Sequence, residues 1–147
     1  MSKILFWDFD VVARREPDRR LADGVAEALE ALAAKGWTQI AFSAGTQDLA
    51  AVAEGLGLGG RFAKLYDAGA GAEPLARAIE AARPFDQAFV IAASVSGAVL
   101  PARAAVVPSI LVGDASPLAQ FCCESSSEIE LALDTWTSMR RSFFVEP

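Results

Sequence analysis

Histidine is absent from the 147-residue sequence, and cysteine occurs only twice, as the adjacent pair Cys122 and Cys123. The lack of histidine excludes Ser-His-Asp triads, histidine general bases and histidine-ligated zinc. Adjacent cysteines have neither the spacing of a zinc pair nor that of a thioredoxin-type pair. We therefore expect two small, buried, apolar side chains in a reducing compartment rather than a vicinal disulfide.

Long apolar runs and excess positive charge are also missing. No run approaches the ~20 residues needed to span a bilayer, and the run after Lys3 is too short for a signal peptide. Lys and Arg number 13 against 19 Asp and Glu, which gives a net charge of −6. Because such a chain repels phosphate backbones, we expect no binding to nucleic acid. The missing signal peptide and membrane span predict a cytoplasmic protein that does not bind a membrane. The tail over 142–147 is expected to dock on its own sheet or on a second copy in a homo-oligomer.

Apolar residues make up 53% of the chain, and its length predicts one domain over residues 1–147. Strand-like apolar segments alternate with segments of helical periodicity. The predicted strands cover 4–7, 37–42, 61–66, 88–92 and 109–112. This alternation predicts an α/β fold: a parallel sheet of about five strands in a three-layer α/β/α, Rossmann-like arrangement. Functional groups in such folds lie at the carboxyl ends of the strands.

Three local signals refine this prediction. The polar stretch Arg14–Arg20 contains Pro17 and is predicted to be a loop. Thr46 is predicted to cap the helix after the second strand. A final helix is predicted to end near Met139.

Asp8 and Asp10 follow the first buried strand directly. Carboxylates at the end of a buried strand are costly unless something uses them. If the strand geometry continues, both side chains point the same way. One could then act as nucleophile and the other as acid/base, or both could help to hold Mg²⁺. The alternative is a solvated strand end that makes a turn and caps the next segment.

The segment Ile4–Val12 resembles the first motif of the haloacid dehalogenase (HAD) superfamily, four apolar residues followed by Asp-x-Asp-x-Thr/Val. The second strand ends at Ser43, where this family has its Ser/Thr motif, and the resemblance extends over residues 3–137. It implies that Asp8 is the nucleophile that forms an aspartyl-phosphate and that Asp10 is the general acid/base. It further implies that Asp8 and the Asp10 carbonyl ligate Mg²⁺, and that Ser43 and Ala44 bind the phosphoryl group.

The second half of the family pattern is absent. The third motif places Lys or Arg at the start of the helix before the fourth strand, where this chain has Glu73 followed by Pro74. The fourth motif places two acids after the fourth strand, where this chain has Ala93 and Gly97. Two unit charges 4 Å apart near a protein surface interact by ~4 kcal/mol, so these losses are large for a nucleophilic carboxylate that attacks a phosphate. We therefore expect weak or lost phosphatase activity.

Three groups could replace the missing residues of the third and fourth motifs. Lys64, at the end of the third strand, could reach the site or be a surface lysine. The loop that follows the two aspartates could clamp an anionic substrate or be a solvated charged loop. Gly113 and Asp114 mimic a Gly-Asp motif one strand too late. The basic residues of that loop are Arg14, Arg15, Arg19 and Arg20.

The short connection between Asp10 and the first helix implies, by the same resemblance, a HAD core without a cap domain. Two functions are compatible with this sequence. The first is a Mg²⁺-dependent HAD-type hydrolase that acts on a small phosphorylated molecule or an exposed phosphoryl group. The second is a non-catalytic binding, regulatory or assembly module on the same fold.

Overall fold

A parallel sheet of six strands forms the centre of the computed structural model, which describes residues 2–14, 20–70 and 73–145. The described residues contain eight strands: β1 (Lys3–Asp8), β2 (Ala13–Arg14), β3 (Arg20–Leu21), β4 (Thr38–Phe42), β5 (Lys64–Tyr66), β6 (Gln87–Ala92), β7 (Ser109–Val112) and β8 (Phe121–Cys123). Strands β2 and β3 pair only with each other, and the other six form the central sheet. The helices are α1 (Phe9–Val12), α2 (Val25–Ala34), α3 (Leu49–Gly55), α4 (Pro74–Ala82), α5 (Leu100–Ala104) and α6 (Ile129–Val145). Short helical turns cover Ala68–Ala70, Val95–Val99 and Ser126–Glu128.

The order of the strands is β5-β4-β1-β6-β7-β8, and every neighbouring pair is parallel. β1 is central and apolar on both faces, as buried parallel strands are. Leu5 and Trp7 pack in the cluster that includes α2, α3 and α6, whereas Ile4 and Phe6 pack in the cluster that includes α4 and α5. These contacts confirm the predicted three-layer α/β/α fold.

The sixth strand, β8, was not predicted. It has three residues and pairs with β7, with Ile110 opposite Phe121. Its alternation separates the two cysteines, since Cys122 is exposed and Cys123 is buried. The prediction that both thiols are buried is therefore wrong for Cys122. Burial raises the pKa of the Cys123 thiol to about 11, which keeps that thiol protonated and unreactive.

Arg14 and Arg20, the two ends of the predicted loop, belong instead to the strands of a β-hairpin. β2 and β3 pair antiparallel, with Ala13 opposite Leu21 and Arg14 opposite Arg20. Residues 15–19, which connect the two strands, lie outside the described residues.

The cap predicted at Thr46 is also wrong. Asp48 precedes α3 in a left-handed conformation (φ 53°), and its Oδ1 accepts a hydrogen bond from Ala51 N at 3.4 Å. Thr46 is buried, and its hydroxyl has no partner among the described residues. The loop that follows β4 is thus longer than predicted.

The last helix extends beyond the predicted end at Met139, because α6 continues through Val145. Lys35 Nζ links it to α2 through Glu130 and Asp134, both at 2.8 Å. None of the described helices combines the length and the hydropathy needed to cross a membrane.

Candidate active site

Asp8 ends β1 at the carboxyl edge of the sheet, and both oxygens of its carboxylate accept hydrogen bonds. Oδ1 accepts a hydrogen bond from Asp10 N at 3.0 Å, and Oδ2 accepts one from Ala93 N at 3.2 Å. The residue is 7% exposed. The carboxylate therefore connects the end of β1 to the end of β6, and the hydrogen bonds compensate for its burial.

Ser43 lies beside Asp8, as predicted. In the pairing of β1 with β4, Asp8 is opposite Phe42, so Ser43 is one residue further along the neighbouring strand. Its N–H donates to Tyr66 O at 2.9 Å, and the residue is 2% exposed. Ala44 follows it and is exposed. The sheet thus brings Asp8, Ser43 and Ala44 to one edge.

Asp10 does not continue the strand that ends at Asp8, contrary to the prediction. The strand geometry stops at Asp8, because α1 begins at Phe9 and Asp8 is its N-cap. Asp10 lies in this helical turn and is exposed. The two carboxylates are therefore not equivalent side chains of one strand: Asp8 is buried, and Asp10 is solvent-facing.

The structure does not bring Lys64 to this edge. Lys64 begins β5 rather than ending it, and it pairs with Ile40, three residues before Ser43. At about 3.3 Å per residue, this places its backbone roughly 10 Å from the carboxyl edge. Its side chain is exposed.

The other replacements do not complete the site within the described residues. Asp114 follows β7, two strands from β1 and so roughly 10 Å away, and its Oδ1 accepts a hydrogen bond from Ala115 N. Arg20 is exposed on the hairpin. The side chain of Arg14, together with Arg15 and Arg19, lies outside the described residues.

The turn after β6 is closed by a serine hydroxyl. Ser94 Oγ accepts a hydrogen bond from Gly97 N at 3.0 Å, and a Cβ atom at position 97 would lie 2.6 Å from that oxygen. An acid at position 97 would therefore displace Ser94. At the start of α4, Glu73 is the exposed N-cap and Pro74 is the first helical residue.

Two residues at this edge were not among the predicted site residues. Asp67 follows β5, and its carboxylate accepts hydrogen bonds from Leu49 N and Gly69 N, both at 3.0 Å. These N–H groups, followed by the charge of Arg77, lower the pKa of Asp67. Arg77 Nη2 donates to Asp67 O at 2.6 Å, and its guanidinium lies 5.6 Å from the centre of the Tyr66 ring. The rule that selected Asp8, an acid directly after an apolar strand, would also have selected Asp67.

The Mg²⁺ implied by the resemblance finds few ligands here. Each oxygen of Asp8 accepts one backbone N–H bond and keeps a further lone pair, but Ala93 occupies the place of the expected second acid. Within residues 2–14, 20–70 and 73–145, no three acidic, cysteine or histidine side chains are grouped as metal ligands. The described residues therefore do not fit a resident Mg²⁺ site, which needs oxygen ligands in near-octahedral geometry.

No family model and no curated protein sequence matches the chain. Among solved structures, a HAD-superfamily hydrolase of subfamily IA from Geobacter sulfurreducens is 16% identical, covers 90% of this chain and 100% of its own, and gives a TM-score of 0.74. A haloacid dehalogenase-like hydrolase from Streptococcus pneumoniae is 12% identical over 90% of this chain and 98% of its own, with a TM-score of 0.73.

A third similar structure is the D,D-heptose 1,7-bisphosphate phosphatase of B. bronchiseptica, complexed with magnesium and phosphate. It is 16% identical over 90% of this chain and 98% of its own, with a TM-score of 0.67. These proteins share their architecture with the chain far more than their sequence. The chain accordingly has the HAD-like fold, with no cap domain in its described part.

Proposed function

We propose that this chain is a HAD-fold protein with a phosphatase-type site in which phosphoryl transfer is weak or lost. In this site Asp8 is the residue in the nucleophile position, Asp10 is the acid/base and Ser43 is the ligand for a phosphoryl oxygen. The substrate class would be a small phosphorylated molecule. The observation that carries the proposal is the identity of the residue that contacts Asp8 from the end of β6: it is Ala93, whose N–H donates to Asp8 Oδ2, where the resemblance implies an acid.

The negative charge that develops in the transition state limits how well this site can transfer a phosphoryl group. Phosphoryl transfer depends on positioning and on neutralisation of developing negative charge by cations. Glu73 at the start of α4 adds negative charge where the family pattern has a base, and Ala93 supplies no ligand for a cation. The site is therefore suited to positioning a phosphoryl group better than to transferring it.

A phosphate-release assay on the full chain tests this proposal. With p-nitrophenyl phosphate and millimolar Mg²⁺, we expect the wild-type rate to lie within a few-fold of the rate of Asp8→Asn. Asp23→Asn serves as the control, because it removes an exposed carboxylate that has no role in the proposed site. A wild-type rate that exceeds Asp8→Asn by roughly a thousandfold, the scale of a catalytic group, would overturn the proposal.

The missing half of the site can be restored in the same chain. Ala93→Asp with Glu73→Lys returns the acid and the base, and Gly97→Asp can be added only with Ser94→Gly, because of the close approach described above. We expect the restored variants to bind Mg²⁺ more tightly than the wild type and to gain phosphatase rate. A folded variant that gains neither would show that the motif alignment is wrong.

The second candidate function is a non-catalytic binding, regulatory or assembly module. It is favoured by the two backbone hydrogen bonds to Asp8, because a carboxylate that connects two strands has a structural use that needs no ligand. The two candidates differ in the effect of Asp8→Asn. A weak phosphatase predicts a small, measurable loss of turnover in this variant, whereas a non-catalytic module predicts no turnover that depends on Asp8.

A further inference from the structure

An apolar cleft opens at the amino edge of the sheet, opposite the candidate active site. Its volume is about 520 Å³, within the range of about 300–1,000 Å³ that is typical of ligand pockets. It lies between the starts of β6 and β7 on one side and α6 on the other. The described residues that line it are Phe85, Asp86, Gln87, Ala88, Phe89, Val106, Val107, Pro108, Trp136 and Met139.

Val106, at the mouth of this cleft, has a backbone conformation that valine rarely adopts. It follows α5 with φ 61°, and two hydrogen bonds define the turn: Val106 N donates to Arg103 O at 3.0 Å, and Val107 N donates to Ala102 O at 2.9 Å. This is a Schellman motif, in which the left-handed position is usually glycine. A β-branched residue there is a true outlier.

Two other helices of this chain can be compared with the end of α5. α2 and α3 end in the same pair of hydrogen bonds, and there the left-handed residues are Gly36 (φ 90°) and Gly57 (φ 77°). Val106 is thus the exception among three equivalent helix ends. Its side chain is 89% exposed, so its packing within the protein does not compensate for the strain. Strained residues of this kind cluster at ligand clamps.

The lining limits the chemistry of an occupant. Three aromatic rings contribute to it, and Trp136 packs edge-on against Phe89 with ring centres 5.4 Å apart. Asp86 is the single charged residue among the described lining residues, which disfavours anions.

We propose that this cleft is a binding site for one small, uncharged molecule with an aromatic or other flat apolar ring system, and that Val106 is retained as a wall of that site. The apolar ring surface would pack against Trp136 and Phe85, and Val106 would close the outer side. The proposal does not depend on phosphoryl chemistry, because the cleft and Asp8 lie at opposite edges of the sheet.

Two fluorescent probes of similar shape test the site on the full chain. N-phenyl-1-naphthylamine is neutral, whereas 8-anilinonaphthalene-1-sulfonate carries a negative charge. We expect the neutral dye to bind saturably at one molecule per chain and the sulfonate to bind about fivefold more weakly or worse. Absence of saturable binding, or a preference for the anion, would overturn the proposal.

Val106→Gly separates ligand binding from stability. Relief of the left-handed valine should raise Tm by about 2–5 °C, while loss of the apolar wall should weaken dye binding roughly tenfold. Gly57→Val is the matched control: it places valine at the same position of α3, away from the cleft, and should lower Tm without changing dye affinity. The proposal fails if Val106→Gly leaves dye affinity unchanged. It also fails if sedimentation shows a dimer that binds dye only after dissociation, because a second copy would then occupy the cleft.

Discussion

At the carboxyl edge of the sheet, polar groups bond to one another, whereas at the amino edge an apolar cleft stays open to solvent. Asp8 is held by two backbone N–H groups, and Asp67 by two more. At the other edge, Val106 exposes an apolar side chain from a strained turn. The edge at which this fold class usually carries chemistry is thus the one where Asp8 and Asp67 hold backbone segments together.

Under the proposed function, the fold keeps its shape while its chemistry is weak or lost, because a carboxylate that connects two strand ends still stabilises the protein. We therefore expect the polar groups of the carboxyl edge to behave as structural groups when they are changed.

The largest expected effect is at Asp8. Asp8→Ala leaves two partly buried N–H groups without their acceptor and should lower the free energy of unfolding by about 2 kcal/mol. Asp8→Asn keeps one acceptor oxygen and should lose about half as much. Denaturant unfolding of both variants, with Asp10→Ala as an exposed control, measures the effect. An increase in stability for Asp8→Asn would contradict a structural role, because catalytic groups are often the residues whose replacement stabilises a protein.

The next largest change in stability is expected at two buried hydroxyls, one at each edge of the sheet. Thr46 follows β4 and Ser109 begins β7, and neither hydroxyl has a hydrogen-bond partner among the described residues. Thr46→Val and Ser109→Ala should therefore each stabilise the protein by about 1 kcal/mol or leave it unchanged. Thermal unfolding measures both. A clear destabilisation by Thr46→Val alone would mean that the carboxyl edge uses this hydroxyl.

A smaller effect is expected at Asp67, which is partly exposed. Because its folded pKa lies below the ordinary value of 3.8, the stabilisation that it contributes is fully present above that pH and is lost as the pH falls through the folded pKa. The Tm of the wild type should therefore fall more steeply below about pH 4 than the Tm of Asp67→Asn. Equal acid profiles for the two proteins would show that Asp67 does not hold the loops after β4 and β5.

The layered fold could be predicted from sequence because apolar runs and helical periodicity report burial directly. The positions of Asp8 and Ser43 could be predicted for the same reason, since parallel strands end at a common edge. The hairpin of β2 and β3 was not predicted, because two-residue strands leave no periodic signal. The helical turn at Phe9 was missed because four residues are too few to distinguish a turn from a continued strand.

The cleft and the network around Asp67 depend on long-range contacts. Trp136 meets Phe89 across 47 positions of the chain, and no local pattern indicates such a pair. Val106 illustrates the same limit: a valine gives a β-strand signal, so its left-handed turn contradicts the local preference. Such conflicts between local preference and structure mark candidate functional positions.

Titration of the full chain with Mg²⁺ tests most directly the claim that the metal side of the HAD-type site is missing. Calorimetry on the wild type, on Asp8→Asn and on Ala93→Asp, in buffer without other divalent ions, compares the three proteins. We predict no saturable binding to the wild type at millimolar Mg²⁺, no change in Asp8→Asn, and measurable binding to Ala93→Asp. Saturable binding of one Mg²⁺ to the wild type that Asp8→Asn abolishes would contradict the account.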